Sequence, residues 1–397
     1  MPTDMAPKRR AFLLGGGVLL AQAASHLLPR NARAATGPRF SLADFGGIPG
    51  ASPALLVSAF DKAFARLKEA GGGELLVPPG LYDFGPQAKA GRVVSVDDLS
   101  HVLISARGAI FRLNTMAKII PCMFYFFNPN QVAIVGARFE DVGADPGVDW
   151  RGMYCVKAES NRPCAGFRMS DCAVDGAVGM FQSLQHNENR FLMKDIHLQG
   201  TVRNAYYGAG LTYVGDNAQV DLRCENVRRG CISFGLRNAE IRIRMHHAAD
   251  AAASNGFISL ACEGEDQGNV ENVRIDLQAS GTARHGGLVH FYHVKSEAHG
   301  TMRNVDVHVA VDQKKGDGAP TSVFVFDHEL AGGLIAKVTA RGWDGITLRG
   351  SVRGDVPGRL IHNPSLSIAP CAIYVERALL AKAGMPKLPS YFHSASA

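Results

Sequence analysis

The chain has 397 residues, a length that exceeds one ordinary domain but that a repetitive fold can use as a single unit. Hydrophobic residues make up 46% of the chain and charged residues 20%, which excludes a disordered protein. Of the formal net charge of +6, residues 1–34 contribute +4, from one acidic and five basic residues: Asp4, Lys8, Arg9, Arg10, Arg30 and Arg33. The remaining +2 excludes the basic footprint of a nucleic-acid-binding protein, although it is compatible with an acidic substrate.

The first segment, residues 1–34, has the pattern of an export signal. Basic residues at 8–10 precede an apolar stretch that runs to about Leu28, and small residues at 32–34 suit a signal peptidase. The Arg-Arg-x-Phe-Leu sequence resembles a twin-arginine signal. A membrane anchor is the alternative, but three glycines at 15–17 interrupt the short apolar stretch. We therefore expect a periplasmic or secreted mature protein with no membrane association.

Residues 41–85 carry five features in a characteristic order. They are the letters DFG, an amphipathic helix, three glycines, a short strand and PPGxY, at 44–46, 53–70, 71–73, 74–77 and 78–82. This order is similar to the N-terminal cap of the pectate-lyase-like superfamily, except that residues 46–52 replace an acidic stretch usual there. The resemblance implies a parallel β-helix whose open end is covered by a cap at residues 35–85. It also implies carbohydrate binding along a groove.

A strand pattern then recurs along the chain. Its copies mostly open with a small residue and end on a polar one, at 123–128, 152–157, 179–186, 210–216, 230–237, 256–263, 287–295 and 322–328. A second strand, usually opened by Asn, follows most copies, for example at 130–134, 189–193, 218–222, 238–243, 272–275 and 304–307. Asn suits the corner between them because it tolerates left-handed backbone. Such repetition is typical of a solenoid.

Stacked repeats of this kind predict an all-β fold, a single-stranded right-handed parallel β-helix over residues 86–365 with an N-terminal capping helix. In it, Phe291 should point into the coil between Leu260 and Phe326. An antiparallel sandwich is the alternative, since Asp-Gly or Asn-Gly pairs at 175–176, 255–256 and 317–318 could form hairpin turns. After residue 350 the pattern fades. We predict a C-terminal cap and tail over 366–397, with a short helix at 374–383.

The eight cysteines, at 122, 155, 164, 172, 224, 231, 262 and 371, are predicted to be mostly free and buried. An even number in an exported chain permits disulfides, but three lie inside predicted strands, where Cys is usually a small buried hydrophobe. No Cys-x-x-Cys pair is present, so we predict no zinc site. The sequence Glu263-Gly-Glu265-Asp266 offers hard oxygens to Ca²⁺, although an acidic solvated turn is the simpler interpretation.

Candidate site residues come from aligning the ends of the recurring strands. This alignment predicts a row of substrate-binding side chains that comprises His186, Tyr213, Asp216, Glu263, His293 and Asp327. Outward positions earlier in the strands add Gln182, His290 and Tyr292, while Arg237 and Lys295 join the row as cations. A mixture of aromatic, basic and acidic groups suits a sugar-binding groove. Ordinary solvated surface is the alternative interpretation.

Two reactions fit these residues. A lyase acting on a uronic acid needs a cation, a base and an acid: Arg237 could neutralise the carboxylate, His290, His293 or Lys295 could be the base, and Tyr292 the acid. A hydrolase needs paired carboxylates, for which Asp216, Glu263 and Asp327 are available. We predict that His290, Tyr292 and Arg237 face solvent.

Motifs of related enzymes are absent from the chain. It has no Asn-Thr-Asp, Gly-His-Gly or Arg-Ile-Lys of polygalacturonases, no Asp-Pro-His-Asp of alginate epimerases and no Arg-x-Pro-x-x-Arg of classical pectate lyases. We therefore expect an exported polysaccharide lyase acting on an acidic polymer, with a glycoside hydrolase as the alternative. A non-catalytic carbohydrate-binding protein is the second alternative, and the oligomeric state is left open.

Overall fold

The computed structural model describes residues 37–145, 151–185, 192–248, 257–262, 268–283, 287–293, 301–315, 322–328, 338–339, 343–353, 359–362, 366–367, 373–377, 379 and 392–395. The predicted export signal lies outside these residues, and its removal stays a prediction. Within this part of the chain, no helix combines the length and apolar character needed to cross a membrane.

The described chain is almost entirely β-strand. One α-helix, α1, spans Pro53–Glu69, and a 3-10 turn spans Leu42–Phe45. The strands are β1 Arg39–Ser41, β2 Gly73–Leu76, β3 Gly80–Gln87, β4 Arg92–Asp97, β5 Ser100–Ser105, β6 Ala109–Thr115, β7 Cys122–Phe127, β8 Asn130–Val135, β9 Arg138–Asp141, β10 Tyr154–Ser160, β11 Cys164–Ala165, β12 Arg168–Gln185, β13 Met193–Lys194, β14 His197–Val214, β15 Ala218–Glu225, β16 Arg229–His247, β17 Ile258–Cys262, β18 Val270–Ala283, β19 Gly287–His293, β20 Met302–Lys315, β21 Ser322–His328, β22 Val338–Thr339, β23 Trp343–Arg353, β24 Arg359–His362, β25 Leu366–Ser367, β26 Ile373–Glu376 and β27 Phe392–Ala395.

All strand pairings within the described residues are parallel. Apart from two short pairs, β11 with β13 and β22 with β25, the strands form one continuous sheet that winds into a coil, and we name its three faces sheets A, B and C. Sheet A stacks β4, β7, β10, β12, β14, β16, β17, β19, β21 and β24. Sheet B runs from β1 and β2 to β26 and β27, and sheet C from β3 and β6 to β23. Long strands such as β16 bend and contribute to more than one sheet. The parallel β-helix is confirmed, and the antiparallel sandwich is wrong.

Helix α1 covers the N-terminal end of the coil. Its buried face consists of Leu56, Ala59, Phe60, Ala63, Phe64 and Leu67. The ring of Phe60 lies 6.3, 6.0 and 5.2 Å from the rings of Phe84, Phe111 and Phe124, which belong to the first rungs. The helix therefore buries apolar rungs that would otherwise be exposed at this end.

The cap motifs have structural explanations. The backbone of Gly73 has φ 135°, and a Cβ there would lie 2.3 Å from the carbonyl oxygen of Pro38, so glycine is required. Asp44 of the DFG sequence accepts a hydrogen bond from the backbone nitrogen of Ser41 at 3.1 Å. The buried hydroxyl of Tyr82 donates to the carbonyl of Pro78 at 2.8 Å, which ties the PPGxY sequence into one turn. These contacts hold the cap together.

We expect Tyr82→Phe to lower the free energy of unfolding by about 1 kcal/mol, because it removes one buried hydrogen bond and leaves the Pro78 carbonyl unpaired. Tyr82→Ala should cost about 3–5 kcal/mol, since it also leaves a cavity. Urea denaturation of both variants measures the difference. Equal losses would mean that the ring contributes nothing beyond its hydroxyl.

Asparagines occupy the corner between sheets A and B. Asn217, Asn238, Asn272 and Asn304 all have left-handed backbone, with φ of 65°, 49°, 54° and 51°. Their side chains hydrogen-bond from rung to rung: the Asn272 amide donates to Asn238 at 2.9 Å, and the Asn304 amide to Asn272 at 3.0 Å. The predicted role of Asn at the corner is confirmed.

At the C-terminal end the predicted short helix at 374–383 starts later than expected: the described residues Arg377 and Leu379 are helical, whereas the residues before them form a strand. Residues Ile373–Glu376 form β26, which pairs with β23 on one side and β27 on the other. Ile373 and Val375 are buried, whereas Tyr374 is exposed, so the segment has the alternation of a strand. The rungs therefore continue further than their sequence pattern indicated.

Seven cysteines lie in the described residues, and all seven are free and buried: Cys122, Cys155, Cys164, Cys172, Cys224, Cys231 and Cys262. Burial raises the pKa of the Cys172, Cys231 and Cys262 thiols to about 12. These thiols are therefore protonated at neutral pH, as expected of small hydrophobes. The prediction is confirmed for these seven, while Cys371 lies outside the described residues.

Candidate functional site

Sheet A has a side that points out of the coil, and we call this side the outer face. Residues that pair in register across successive rungs form columns on it. Column 1 is Arg92, Cys122, Tyr154, Gly179, Tyr207 and Arg229; column 2 is Ser95, Tyr125, Lys157, Gln182, Gly210, Ile232, Ser259 and His290. Column 3 begins with Asp97, Phe127, Glu159 and Leu184 and continues through Thr212 and Phe234. An aromatic cluster, separate from the core, lies on this face and includes Tyr125, Tyr154 and Tyr207.

Four residues on the first three rungs form what we call the charged cluster: Arg92, Tyr125, Lys157 and Glu159. The Arg92 guanidinium carbon lies 3.3 Å from the centroid of the Tyr125 ring. The Tyr125 hydroxyl donates a short hydrogen bond to the Glu159 carboxylate, which also lies 4.0 Å from the Arg92 guanidinium. The side chain of Arg92 is 52% exposed and that of Glu159 is 15% exposed. A guanidinium is therefore held at the surface, over a phenol–carboxylate pair.

Lys157 is the base candidate of the charged cluster. It pairs in register with Tyr125, and its Nζ lies 4.3 Å from the centroid of the Tyr154 ring. Burial lowers the pKa of Lys157, because a partly desolvated amine disfavours its charged form. Burial, and then the hydrogen bond to Glu159, raise the pKa of Tyr125. The face thus combines an amine whose pKa is lowered with a phenol whose pKa is raised.

Glycines give neighbouring side chains room to lie along the outer face. A Cβ on Gly210 would lie 2.2 Å from Oε1 of Gln182, and one on Gly179 would lie 3.0 Å from Cε1 of Tyr154. The amide of Gln182 instead donates to the Thr212 hydroxyl at 3.2 Å. These rungs therefore present an amide, a hydroxyl and an aromatic edge without charge.

His290 lies on the outer face, as its strand position predicted. It pairs in register with Ser259 of column 2 on one side and with Val325 on the other. The expectation that it faces solvent is wrong: His290 is 7% exposed, and its neighbours Ser259 and Val325 are buried too. The outer face is covered at these rungs. Five rungs separate His290 from Lys157, roughly 24 Å at about 4.8 Å per rung.

Three other predicted residues do not join the outer face as expected. Arg237 pairs in register with Glu271, and the Glu271 carboxylate lies 3.9 Å from Nε of Arg237. Arg237 is not part of a column because Gly235, which has left-handed backbone, ends the sheet A segment of β16. Asp216 lies at the asparagine corner, where hydrogen bonds from Lys194 (3.0 Å) and Asn238 (2.6 Å) lower its pKa. Tyr213 is 9% exposed with φ 50°, and Thr212 occupies the column position instead. The prediction of a shared groove is wrong for these three.

Several candidates cannot be placed by side chain. His186, Glu263, Lys295 and the acidic turn at 263–266 lie outside the described residues. For Tyr292, His293 and Asp327 only the strand register is described, and it pairs Tyr292 with Asp327. Their binding roles stay predictions, as does Ca²⁺ binding. Among the residues that the structure does describe, no group of three His, Cys, Asp or Glu side chains could hold a metal ion.

The charged cluster was not predicted from the sequence, although the strands of Tyr125 and Lys157 were. The two residues pair in register, but Tyr125 is the third residue of the copy at 123–128 and Lys157 is the last residue of the copy at 152–157. Aligning the copies by their first residues therefore does not bring the two side chains together; the register between rungs does. The end residues diverge because the turns that follow differ in length.

No protein-family model matches the chain. No curated protein matches it either. Among solved structures, the A-module of a mannuronan C-5 epimerase from Azotobacter vinelandii is 13% identical, covers 85% of this chain and 93% of its own, and has a TM-score of 0.40. A tailspike protein of an E. coli bacteriophage in complex with a pentasaccharide is 12% identical over 85% of this chain, with a TM-score of 0.46. The catalytic domain of an α-1,3-glucanase is 8% identical over 79%, with a TM-score of 0.45.

The matched regions span 62% of the glucanase and tailspike chains. Identities and scores this low assign no activity to this protein. Its fold is established by the strand register described above, and its function has to be argued from the outer face.

Proposed function

We propose that the protein is an exported enzyme that binds an acidic polysaccharide along the outer face and cleaves it by β-elimination. The observation that carries the proposal is the charged cluster. It places a surface guanidinium, an amine of lowered pKa and a protonated phenol on adjacent rungs of one face. These are the three functions that elimination from a uronate requires.

Each group has a role in the proposed step. Arg92 binds the uronate carboxylate and neutralises its charge, which acidifies the proton on C5. Neutral Lys157 takes that proton through its Nζ, while the C4–O bond breaks and a C4–C5 double bond forms. Tyr125 gives its proton to the leaving oxygen, and the proton held by Lys157 returns to the phenolate or to water. Glu159 accepts the Tyr125 hydrogen bond and so orients the phenol.

The rungs around residue 290 are the other place where the same reaction could occur. His290 and Tyr292 are two residues apart in β19, and the alternation of a strand predicts the same side for both. With Lys295 they would supply a base, an acid and a cation. Tyr125 is 3% exposed and His290 is 7% exposed, so the observation that favours the charged cluster is the guanidinium of Arg92, which is 52% exposed. Comparing His290→Ala with a Lys157 variant decides between the two.

Hydrolysis is the alternative chemistry, and column 3 offers an observation for it. Asp97 and Glu159 both pair with Phe127, so they lie two rungs apart, roughly 9.6 Å at about 4.8 Å per rung. Inverting glycosidases hold their two carboxyl groups at about 6.5–9.5 Å. Glu159, however, is engaged by Tyr125 and Arg92. We therefore favour elimination.

The reaction is tested by incubating the purified protein with acidic polysaccharides and following ultraviolet absorbance and reducing ends together. New absorbance from unsaturated uronate supports elimination. Reducing ends without absorbance would replace it with hydrolysis. Binding with neither product would make the protein a carbohydrate-binding module.

Export is proposed from the sequence of residues 1–34 alone. Arg9→Lys combined with Arg10→Lys should leave the precursor in the cytoplasm, because a twin-arginine translocase reads both guanidinium groups. Cell fractionation measures the distribution, with Lys8→Arg as the matched control. Continued export of the double variant would argue against translocation in the folded state.

A further inference from the structure

Charge is distributed unevenly along the outer face. On the first three rungs the described outward residues include Arg92, Asp97, Lys157 and Glu159. On the next two rungs they are Gly179, Gln182, Leu184, Tyr207, Gly210 and Thr212, and none of these carries a charge. We call these two rungs the neutral gap. Arginine returns on the sixth rung, where Arg229 pairs in register with Tyr207 but is only 7% exposed, and where the neighbouring Arg228 is half-buried.

The neutral gap is built to contact a ligand that has hydroxyl groups and apolar faces. Gln182 and Thr212, both half-buried, supply an amide and a hydroxyl, and their mutual hydrogen bond fixes their orientation. Half-buried Leu184 in the gap, and half-buried Phe234 on the sixth rung beside it, supply apolar contacts for the carbon–hydrogen faces of sugar rings. Tyr206, with the guanidinium carbon of Arg228 4.7 Å from its ring centroid, borders the gap. Each rung advances about 4.8 Å, so the gap has room for about two sugar units.

A carboxylate would be poorly accommodated in this gap. It would lose water against Leu184 and Thr212, whereas the described cations Lys157 and Arg228 lie at the borders of the gap, against the rings of Tyr154 and Tyr206. Burying a charge that no cation compensates is costly. In a polymer made only of uronic acids, every sugar carries a carboxylate, so some would fall on the neutral gap. A polymer with neutral sugars between uronates places its carboxylates at the cationic rungs alone.

We propose that the substrate is a heteropolysaccharide in which neutral sugars separate the uronates, and that the neutral gap selects against homopolymeric uronates. This inference rests on the proposed function, because it assumes that the polymer lies along the outer face. It adds the spacing of charge in the substrate, which the elimination chemistry does not specify.

The test is to place a cation in the neutral gap. Thr212→Lys should bind hexagalacturonate roughly tenfold tighter than the wild type, the gain expected from one charge-assisted hydrogen bond. Isothermal titration calorimetry measures the affinity. The matched control is Gln219→Lys, which makes the same charge change at an exposed position on sheet B and should change the affinity less than about twofold. Thermal denaturation confirms that both variants fold.

The outcomes separate this inference from the proposed function. If folded Thr212→Lys bound hexagalacturonate no more tightly than the wild type, the proposal that the neutral gap disfavours carboxylates would be overturned. Cleavage of polygalacturonate by the wild type as fast as any heteropolysaccharide would also overturn it, while the lyase function would stand. Suppose that Thr212→Lys binds more tightly but no acidic polymer gives unsaturated products. The charge selection by the neutral gap would then be supported, and the lyase function would be rejected.

Discussion

Replacing Lys157 with methionine should lower turnover on an acidic polysaccharide by ~10²–10⁴-fold, the usual loss when a general base is removed. The methionine keeps most of the aliphatic volume over the Tyr154 ring and removes the amine. Because burial lowers the pKa of Lys157, the wild-type rate should rise as pH increases through that lowered pKa, where the neutral amine accumulates. The residual rate of the variant should lack this rise with pH.

Stability provides an internal check on the Lys157 variant. The folded pKa of Lys157 lies below its unfolded value, so the amine opposes folding at low pH, and this cost disappears as pH rises toward the unfolded pKa. Lys157→Met should therefore not lower the melting temperature at neutral pH. Lys194→Met is the matched control, since Lys194 pairs with Asp216 at the corner, away from the outer face. Full activity of Lys157→Met would place the base elsewhere, with His290 the first residue to examine.

Truncating Phe291 to alanine should lower the free energy of unfolding by about 3–5 kcal/mol. Phe291 is fully buried, and its strand pairs it with Leu260 below and Phe326 above. A cavity there removes contacts within the coil that neighbouring rungs cannot replace. Chemical denaturation followed by circular dichroism measures the loss.

Phe234→Ala is the matched control for Phe291→Ala. It removes the same atoms from a half-buried position on the outer face, so its cost should be less than half as large. Equal costs for the two variants would contradict the assignment of inward and outward positions on sheet A. The positions of Lys157 and Gln182 depend on the same register.

The repeat could be predicted from the sequence because each rung needs the same local chemistry. Alternating apolar residues mark the strands, and Asn marks a corner with left-handed backbone, as at Asn272 and Asn304. The register of Phe291 between Leu260 and Phe326 followed from that alternation and is confirmed, as is the burial of Phe291. The cap helix was also predictable, since its apolar face has helical periodicity.

The site was harder to predict because side-chain neighbours depend on register between distant segments. Arg237 and Asp216 end similar strands, but the chain turns at different points after them, so one pairs with Glu271 and the other joins the corner. The lowered pKa of Lys157 depends on burial against Tyr154 from the same rung and Tyr125 from the preceding one. Neither effect is visible in a local sequence pattern.

Product stoichiometry is the sharpest test of whether the outer face cleaves an acidic polysaccharide by elimination. The purified protein is incubated with a uronate-containing heteropolysaccharide, and unsaturated uronate ends are counted against new reducing ends. Elimination predicts one unsaturated end for every new reducing end. New reducing ends with no unsaturated ends would contradict the account.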